Sequence, residues 1–296
     1  MSSRIRLTPF DHFSWGKDDL NNESATSVKA YFEKHLKKPQ VILTQNGRSA
    51  LATLIEHLAL QREDEVWIIT TFDFPNVSSC VTSTVFNYCK PSRVLTDKTK
   101  LALIIHEFGV MHPDTEQIIR ICKERSIQVA EDCAHTFLSK DQHGHQTGTL
   151  ADWTIISFPK FYPVEFGGAL AGPILNNAPR KMDSNAERDL RRVAITLEHT
   201  HRYAQRRAHI LQNLLKGISA IQMSSPLHNC TEDVIPWFFP VMAENPEMYK
   251  YKLEADGIES CIWHGAQMIC LPLHQFIEDT DIPRMLDSLK RIHSEE

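Results

Sequence analysis

The stretch that decides the fold is IQVAEDCAH, residues 127–135. It opens with the short apolar run Ile127–Ala130, which has the composition of a buried strand, and two carboxylates, Glu131 and Asp132, follow directly. Open α/β sheets place ligands outside the carboxyl ends of their strands. A carboxylate there, followed by small residues that let a flat ring approach, suits a partner for a protonated pyridine nitrogen. Taken by itself, Asp132 is equally well explained as the N-cap of a following helix.

Strand-like and helical segments alternate on both sides of this stretch. Apolar runs predict strands at 41–43, 66–69, 101–105, 153–158 and 168–172. Helical spacing predicts helices at 24–39, from 47 onward and at 113–125. The last of these has Asp114 and Gln117 in capping-box positions. Strands separated by helices indicate an α/β fold whose mostly parallel sheet is flanked by helices on both faces.

The character of the chain changes after residue 180. Residues 176–185 are polar and turn-rich, and an apolar stripe from Leu190 to Leu215 then predicts one long helix that ends at Gly217. Strands are predicted at 234–242 and 267–271, and a last amphipathic helix carries its apolar residues between 282 and 292. We therefore expect a large α/β domain over residues 1–185, and a connector helix with a smaller α+β domain over 186–296.

Composition narrows the classes of partner. The chain has 296 residues, 42% of them hydrophobic, and a net charge of −5, so nothing in its charge favours nucleic acid or an anionic membrane over small molecules. Residues 1–10 lack the apolar core of a secretory signal, which predicts a cytoplasmic protein.

Cysteines and histidines give no metal-binding pattern. The seven cysteines are scattered and odd in number, which indicates reduced thiols rather than a disulfide framework or a zinc site. The pairs His143/His145 and His199/His201 are interpreted as surface histidines, because no cysteine or carboxylate accompanies them at metal-ligand spacing. We expect no metal site.

Polar residues follow other predicted strands as well, namely Glu107 and Ser157. Ser157-Phe158-Pro159-Lys160 comes at the end of a strand and shortly before the pair Gly167-Gly168. A lysine that forms a Schiff base must be partly desolvated and held against a carbonyl, and a strand end in the sheet crevice provides both conditions. A serine three residues earlier could donate its hydroxyl to a phosphate. A surface lysine that happens to follow a serine is the alternative, and S-x-x-K alone does not decide between them.

Two further segments suit a phosphorylated, flat ligand. Gln45–Leu51 is a turn running into a helix, where free backbone N–H groups and the positive end of the helix dipole can bind an anion, and Gly47 allows close approach. Thr71–Asn76 follows a predicted strand and contains Phe72 and Phe74, either of which could stack on an aromatic ring. A plain helix entry and a core phenylalanine are the alternatives.

The order of these motifs is more specific than any one of them. A glycine turn, an aromatic residue, E-D-x-A-H and then S-F-x-K with G-G resemble the DegT/DnrJ/EryC1/StrS family of aminotransferases, a branch of the fold type I pyridoxal-phosphate enzymes. The resemblance runs from about Asn46 to Gly172 and includes the segments 64–66, 106–109 and 148–152. It returns at Cys270-Leu271-Pro272-Leu273-His274.

The resemblance assigns a role to each candidate residue. It implies that pyridoxal 5'-phosphate is the cofactor, that Lys160 binds it covalently and shuttles protons, that Asp132 pairs with its ring nitrogen, and that His135 lies beside its phenolic oxygen. The stacking aromatic would be Phe74, with Phe72 as second choice. The phosphate would be bound by Gly47, Arg48 and Ser157.

The resemblance also implies an activity: transfer of an amino group from a donor, glutamate being common in the family, to a keto sugar that is often nucleotide-linked, for a surface polysaccharide or a secondary product. Two alternatives stay open, another pyridoxal-phosphate reaction on the same scaffold and a catalytically inactive binding or regulatory homologue. The chain is shorter than typical members, and the segment between Gly172 and Leu190 is reduced. A homodimer is expected, because fold type I active sites lie in clefts shared between subunits.

Overall fold

A seven-stranded sheet forms the centre of the larger part of the protein. The computed structural model describes residues 4–10, 25–74, 77, 79–175, 181–263 and 266–295. The strands of the sheet are β1 Gln40–Thr44, β2 Glu65–Thr70, β3 Lys90–Ser92, β4 Thr99–Ile105, β5 Gln128–Asp132, β6 Trp153–Ser157 and β7 Gly168–Gly172. They lie in the order β1-β7-β6-β5-β4-β2-β3.

The predicted mostly parallel sheet is confirmed. Strands β3, β2, β4, β5 and β6 run parallel, whereas β7 is antiparallel to both of its neighbours. β7 reverses because only a short connection separates it from β6, and a parallel return would need a crossover of a dozen or more residues. β3 was not predicted, since it has three residues and contains Pro91.

Helices cover both faces of this sheet, as expected. They are α1 Ala25–Leu36, α2 Gly47–His57, α3 Ser79–Phe86 and α4 Thr115–Glu124. Alternate strand residues face opposite sides: Val41 and Leu43 pack with the apolar face of α1, whereas Ile42 packs with that of α2.

The predicted capping box of α4 is wrong. The Asp114 side chain makes no capping hydrogen bond. The turn into the helix is held by His112 instead, whose ring Nδ1 accepts the Asp114 N–H at 3.1 Å and whose carbonyl accepts the Thr115 hydroxyl at 2.7 Å.

The long connector helix is two helices, α5 Ser184–Thr196 and α6 Thr200–Ala220, joined by a 3₁₀ turn at Leu197–His199. The predicted end at Gly217 is also wrong, because α6 continues to Ala220. A Cβ on Gly217 would lie 2.2 Å from Leu286 Cδ1, so the glycine permits close packing against a later helix rather than ending its own. The polar segment predicted at 176–185 lies partly outside the described residues.

A three-stranded antiparallel sheet follows, formed by β8 Phe238–Met242, β9 Cys261–Trp263 and β10 Met268–Pro272 in the order β8-β10-β9. Helix α7 Pro246–Ala255 packs on β9 and β10, and helix α8 Asp281–His293 packs on α6 and α7. β9 and α7 were not predicted. Ile5 pairs with Ile258 and is buried in the core of this second unit. The domain boundary at 185/186 stays a proposal, and the N-terminal segment 4–10 packs on the C-terminal side of it.

No helix in the described ranges combines the length and the apolar character needed to cross a bilayer.

Gly168 of β7 packs closely against the start of helix α2, which is part of the predicted site. It pairs with Thr44 of β1 on one side and with Ser157 of β6 on the other. A Cβ at this position would lie 2.6 Å from the carbonyl carbon of Asn46 and 2.8 Å from the backbone nitrogen of Gly47. These neighbours are backbone atoms, which cannot move aside as the end of a flexible side chain would.

We expect Gly168→Ala to lower the free energy of unfolding by about 1–3 kcal/mol, the usual cost of forcing an extra carbon into a packed site. Urea unfolding of the purified protein measures it. Gly144→Asn is the matched control, because Gly144 has open space around its Cα and a φ of +81° that asparagine tolerates. Equal stability of the two variants would contradict the prediction.

Candidate active site

A cavity of about 280 Å³ is lined by the last residues of β4, β5 and β6, at the carboxyl edge of the large sheet. Its volume is close to the lower limit of about 300 Å³ typical of small-molecule sites. Six of the seven predicted site residues line it: Gly47, Arg48, Asp132, His135, Ser157 and Lys160. The topology therefore brings together residues that are more than a hundred positions apart in sequence.

The start of helix α2 forms one end of the cavity. Asn46 caps the helix, its side-chain oxygen accepting the Ser49 N–H at 2.9 Å. The first N–H groups of a helix have no partner within it, so those of Gly47 and Arg48 are suited to bind an anion. Ser157 lies beside them: a Cβ on Gly47 would be 3.8 Å from the Ser157 hydroxyl oxygen. The two predicted phosphate-binding segments thus meet in one place.

Lys160 and Asp132 are buried on the same cavity. Asp132 ends β5, and Lys160 follows β6 in a 3₁₀ turn. Burial lowers the pKa of Lys160 to about 8, although the nearby Asp132 opposes the shift. Burial also raises the pKa of Asp132, against the Ala134 N–H and the charge of Lys160. Their mutual attraction is weaker than the cost of desolvation, so both groups are held closer to their neutral forms than in water.

His135 is a neutral histidine whose tautomer follows from its hydrogen bond. Its Nδ1 accepts the backbone N–H of Phe108 at 3.3 Å, so the proton must lie on Nε2. Burial, together with the positive charge of Lys160, holds the pKa of the ring well below its usual value. His135 is therefore a hydrogen-bond donor through Nε2, which suits a phenolic oxygen as acceptor.

The structure does not bring Phe74 to the cavity. Phe74 packs on Phe72, with ring centroids 5.5 Å apart, and both contact the core of the second unit. The backbone folds back there, since the Phe74 N–H donates to the Phe72 carbonyl at 2.8 Å. Residues 75, 76 and 78 of this predicted motif lie outside the described residues.

The aromatic rings next to the predicted residues are tryptophans of the second unit, which the sequence did not indicate. Trp263 of β9 lines the cavity, and its ring centroid lies 5.5 Å from that of His135. Trp237 lies under the lysine, with Lys160 Nζ 4.1 Å from its ring centre.

Comparison with known proteins identifies the family of the chain. The model of the DegT/DnrJ/EryC1/StrS aminotransferase family matches residues 20–171, slightly more than half of the chain. The chain belongs to this family. The predicted family and fold type are confirmed, which makes the chain a member of an aminotransferase family.

Solved structures with the same fold include Spr1654 from Streptococcus pneumoniae in its PLP form, with a TM-score of 0.81 and 14% identity over 99% of this chain and 99% of that one. NtdA from Bacillus subtilis, solved with bound PMP, has a TM-score of 0.76 and 17% identity over 99% of this chain and 86% of that one. These likenesses show that the chain shares the fold of both proteins.

A curated relative is more similar in sequence over a shorter stretch. GDP-perosamine synthase from Escherichia coli O157:H7 is 43% identical over 65 residues, which is 22% of this chain and 17% of that enzyme. The match therefore covers less than a fifth of the relative.

Glu131, the other carboxylate of the E-D motif, has a structural role that connects three family motifs. It accepts the backbone N–H groups of Gly148, Leu150 and Ala151 at 2.7–2.9 Å and the Nε2 of His106 at 2.9 Å. Nδ1 of His106 in turn accepts the His112 N–H at 3.1 Å. These bonds outweigh the effect of burial and lower the pKa of Glu131.

A metal ion would fit by distance alone between three side chains, those of His106, Glu131 and Cys133. The ring nitrogens of His106 and the carboxylate of Glu131 are already used in the hydrogen bonds above, and burial keeps the Cys133 thiol protonated.

Arg207 of α6 is a functional position that the sequence prediction missed. It is fully buried and donates to the carbonyls of Lys160 at 2.9 Å and Pro236 at 3.1 Å, and to the Gln275 side chain at 3.0 Å. It thereby fixes the turn that carries Lys160 to the second unit. The sequence did contain an indication of this role, because Arg207 lies between the apolar stripe residues Ala204 and Ala208 of α6.

Glu107 is a second acidic group on the cavity. It is buried, and one of its carboxylate oxygens accepts the Phe72 N–H at 3.0 Å. Burial raises its pKa to about 7, although this hydrogen bond and the charge of Arg93 oppose the shift. The folded protein therefore keeps a proton on Glu107 that the unfolded chain releases near pH 4.5.

This pKa shift has a sign that can be tested. Below the pKa of Glu107 in the unfolded chain, both states are protonated and the pKa shift does not change the free energy of unfolding. As the pH rises, the unfolded chain is favoured by losing the proton, and the penalty is complete above the folded pKa. We expect Glu107→Gln to stabilise the protein by about 2 kcal/mol more at about pH 8.5 than at about pH 5. Denaturant unfolding at both pH values measures this, and a stability difference independent of pH would contradict it.

Proposed function

We propose that the protein is a pyridoxal-phosphate-dependent aminotransferase that transfers an amino group from glutamate to a keto sugar or a related polyhydroxylated ketone. The observation that carries the proposal is the single cavity on which a buried lysine of lowered pKa, a buried aspartate and a phosphate-binding helix start meet.

The residues present fit the cofactor. The N–H groups at the start of α2 and the Ser157 hydroxyl would hold the phosphate, Asp132 would hold the protonated ring nitrogen, and Nε2–H of His135 would donate to the phenolic oxygen. When bound, the cofactor supplies an electron sink for the charge released at the amino carbon. A protonated ring nitrogen would also offset the burial of the Asp132 carboxylate, which Lys160 alone does not.

Lys160 is the group we assign to proton transfer. With a pKa of about 8, on the order of a tenth of the amine is neutral near pH 7, so Nζ can both accept and return a proton. Trp237 packs against Nζ of Lys160, and Arg207 donates a hydrogen bond to the backbone carbonyl of the same lysine. The backbone of Lys160 is therefore held in place while its side chain can move.

The polar groups of the second unit favour an oxygen-rich acceptor. In the described part of the chain, the indole nitrogens of Trp237 and Trp263 are buried without a hydrogen-bond partner. A buried N–H normally has a partner, and the hydroxyl groups of a sugar would supply one to Trp263 on the cavity wall. The name of GDP-perosamine synthase, the relative with 43% identity over 65 residues, indicates a nucleotide-linked amino sugar as that enzyme's product. The corresponding keto sugar, which amino transfer would convert into such a product, is the acceptor class we propose here.

The purified protein should show an absorbance band at the edge of the visible range that borohydride bleaches, and glutamate should shift this band while 2-oxoglutarate accumulates. Lys160→Ala should lose the borohydride-sensitive band, whereas Lys100→Ala, which changes an exposed lysine of β4, should keep it. Absorbance spectra and an assay for 2-oxoglutarate make the measurement.

The outcomes separate the alternatives. A borohydride-sensitive band that glutamate and glutamine leave unchanged would indicate another reaction on the same cofactor. Absence of the band after incubation with pyridoxal 5'-phosphate would indicate a binding or regulatory homologue and overturn the proposal.

We also propose a cytoplasmic homodimer, since the clefts of fold type I enzymes are shared between subunits. Light scattering should give twice the mass of the chain. A monomeric mass together with full amino transfer would contradict the dimer.

A further inference from the structure

We propose that Cys261 and Cys270 form a redox modification site, in which a peroxide converts two neighbouring thiols into a cross-strand disulfide beside the active-site cavity. All seven cysteines are free thiols in this structure. The sequence spacing of the cysteines gave no reason to expect a pair, and the pairing of β9 with β10 brings Cys261 and Cys270 together.

The strand register places the two thiols side by side. Cys261 of β9 is the direct partner of Cys270 of β10 in an antiparallel pair. Directly opposed residues of antiparallel strands have Cα atoms about 4.5–5.5 Å apart and side chains on the same face. A disulfide needs a Cα separation of about 4.4–6.8 Å. The bond can therefore form with little movement of the backbone.

The two thiols differ in a way that suits this chemistry. A hydrogen bond from the Cys270 thiol lowers the pKa of Cys261, and the charges of Lys250 and Lys160 act in the same direction. Burial, with the same hydrogen bond, raises the pKa of Cys270 well above its usual value. Cys261 is also partly exposed, whereas Cys270 is buried. Cys261 is thus the thiolate that meets the oxidant, and Cys270 the thiol that resolves it.

Burial is the largest cause of the pKa shift at four of the other cysteines. It raises the pKa of Cys89, Cys122 and Cys230 to about 11 and that of Cys133 well above its usual value. Such thiols react slowly with a peroxide at neutral pH, so Cys261, whose pKa is lowered, is the member of the pair that reacts first.

The pair is connected to the cavity through its strand. Residues two apart on a strand share a face, so Cys261 and Trp263 lie on the same side of β9. Trp263 lines the cavity and packs on Phe108, with ring centroids 4.8 Å apart. The charge of Lys160 also acts on Cys261. Oxidation therefore removes a thiol that interacts with the proposed catalytic lysine and ties β9 covalently to β10.

The reaction balances with hydrogen peroxide as oxidant. The Cys261 thiolate attacks one peroxide oxygen and the O–O bond breaks, which gives a sulfenic acid and, after protonation, water. The Cys270 thiol then attacks the sulfenic sulfur, which forms the S–S bond and releases a second water. Two thiols lose two electrons and the peroxide gains them. A dithiol such as dithiothreitol reverses the step by exchange.

The test uses the holoenzyme treated with a small excess of hydrogen peroxide, then blocked with N-ethylmaleimide and digested without reductant. Mass spectrometry should find a peptide pair linked through Cys261 and Cys270, and thiol titration in denaturant should show two fewer thiols per chain, restored by dithiothreitol. Cys230→Ser, which changes a half-buried cysteine outside the pair, should show the same loss of two thiols.

Cys270→Ser should form no disulfide and should instead leave Cys261 as a sulfenic acid that dimedone traps. The inference is overturned if the wild-type protein loses no thiol pair under conditions that oxidise an unstructured cysteine peptide, or if the linked peptides contain Cys80 in place of Cys270. Neither readout depends on amino transfer, so the inference and the proposed function can fail separately.

Discussion

The candidate site depends on one constraint, the burial of Lys160 and Asp132 on the same cavity at one edge of the sheet. Coulomb attraction should draw each toward its charged form, yet burial shifts both pKa values toward neutrality. Desolvation is therefore the larger effect, and a pair of this kind stabilises nothing by itself. What the arrangement provides is reactivity: an amine with a usable neutral fraction, and a carboxylate whose charge is best satisfied by a cation placed between the strands. The stability must come from the surrounding fold.

Two hydrogen-bond networks hold these groups in place. Glu131 lies next to Asp132 in sequence, and its bonds to Gly148, Leu150 and Ala151 fix the end of β5 to the loop that leads into β6. Arg207 fixes the turn after β6 from the other side, through the Lys160 carbonyl. Both are buried charged groups that bond mainly to the backbone, with one side-chain partner each, His106 for Glu131 and Gln275 for Arg207. Such bonds offset the cost of burying a charge and keep the side chain in one position.

Most of the large sheet and of the cofactor end of the site could be predicted, because the information is local. The strand before Asp132, the glycine turn before α2 and the strand before Lys160 are short segments whose apolar pattern and following polar residues mark a sheet edge. What could not be predicted depends on tertiary contacts. Phe74 is directed into the second unit by a local backbone turn, Gly217 is matched to Leu286, and Trp263 reaches the cavity from a strand too short to be recognised. The Cys261–Cys270 pair is of the same kind, since register alone creates it.

The two units contribute different parts of the proposed site. This separation agrees with a fold that is shared with Spr1654 at a TM-score of 0.81 although only 14% of the residues are identical. Every residue that we assign to the phosphate, the ring nitrogen and the phenolic oxygen belongs to the large sheet, where backbone pairing and Gly168 leave little freedom. The tryptophans that face the proposed acceptor belong to β9 and to the segment before β8, outside that sheet. Arg207 fixes the turn that carries Lys160 through the carbonyls of Lys160 and Pro236, so a change at Trp263 alters the acceptor wall and leaves this link between the units in place. A wall that is free to vary in this way is also where a thiol pair could arise without disturbing the cofactor contacts.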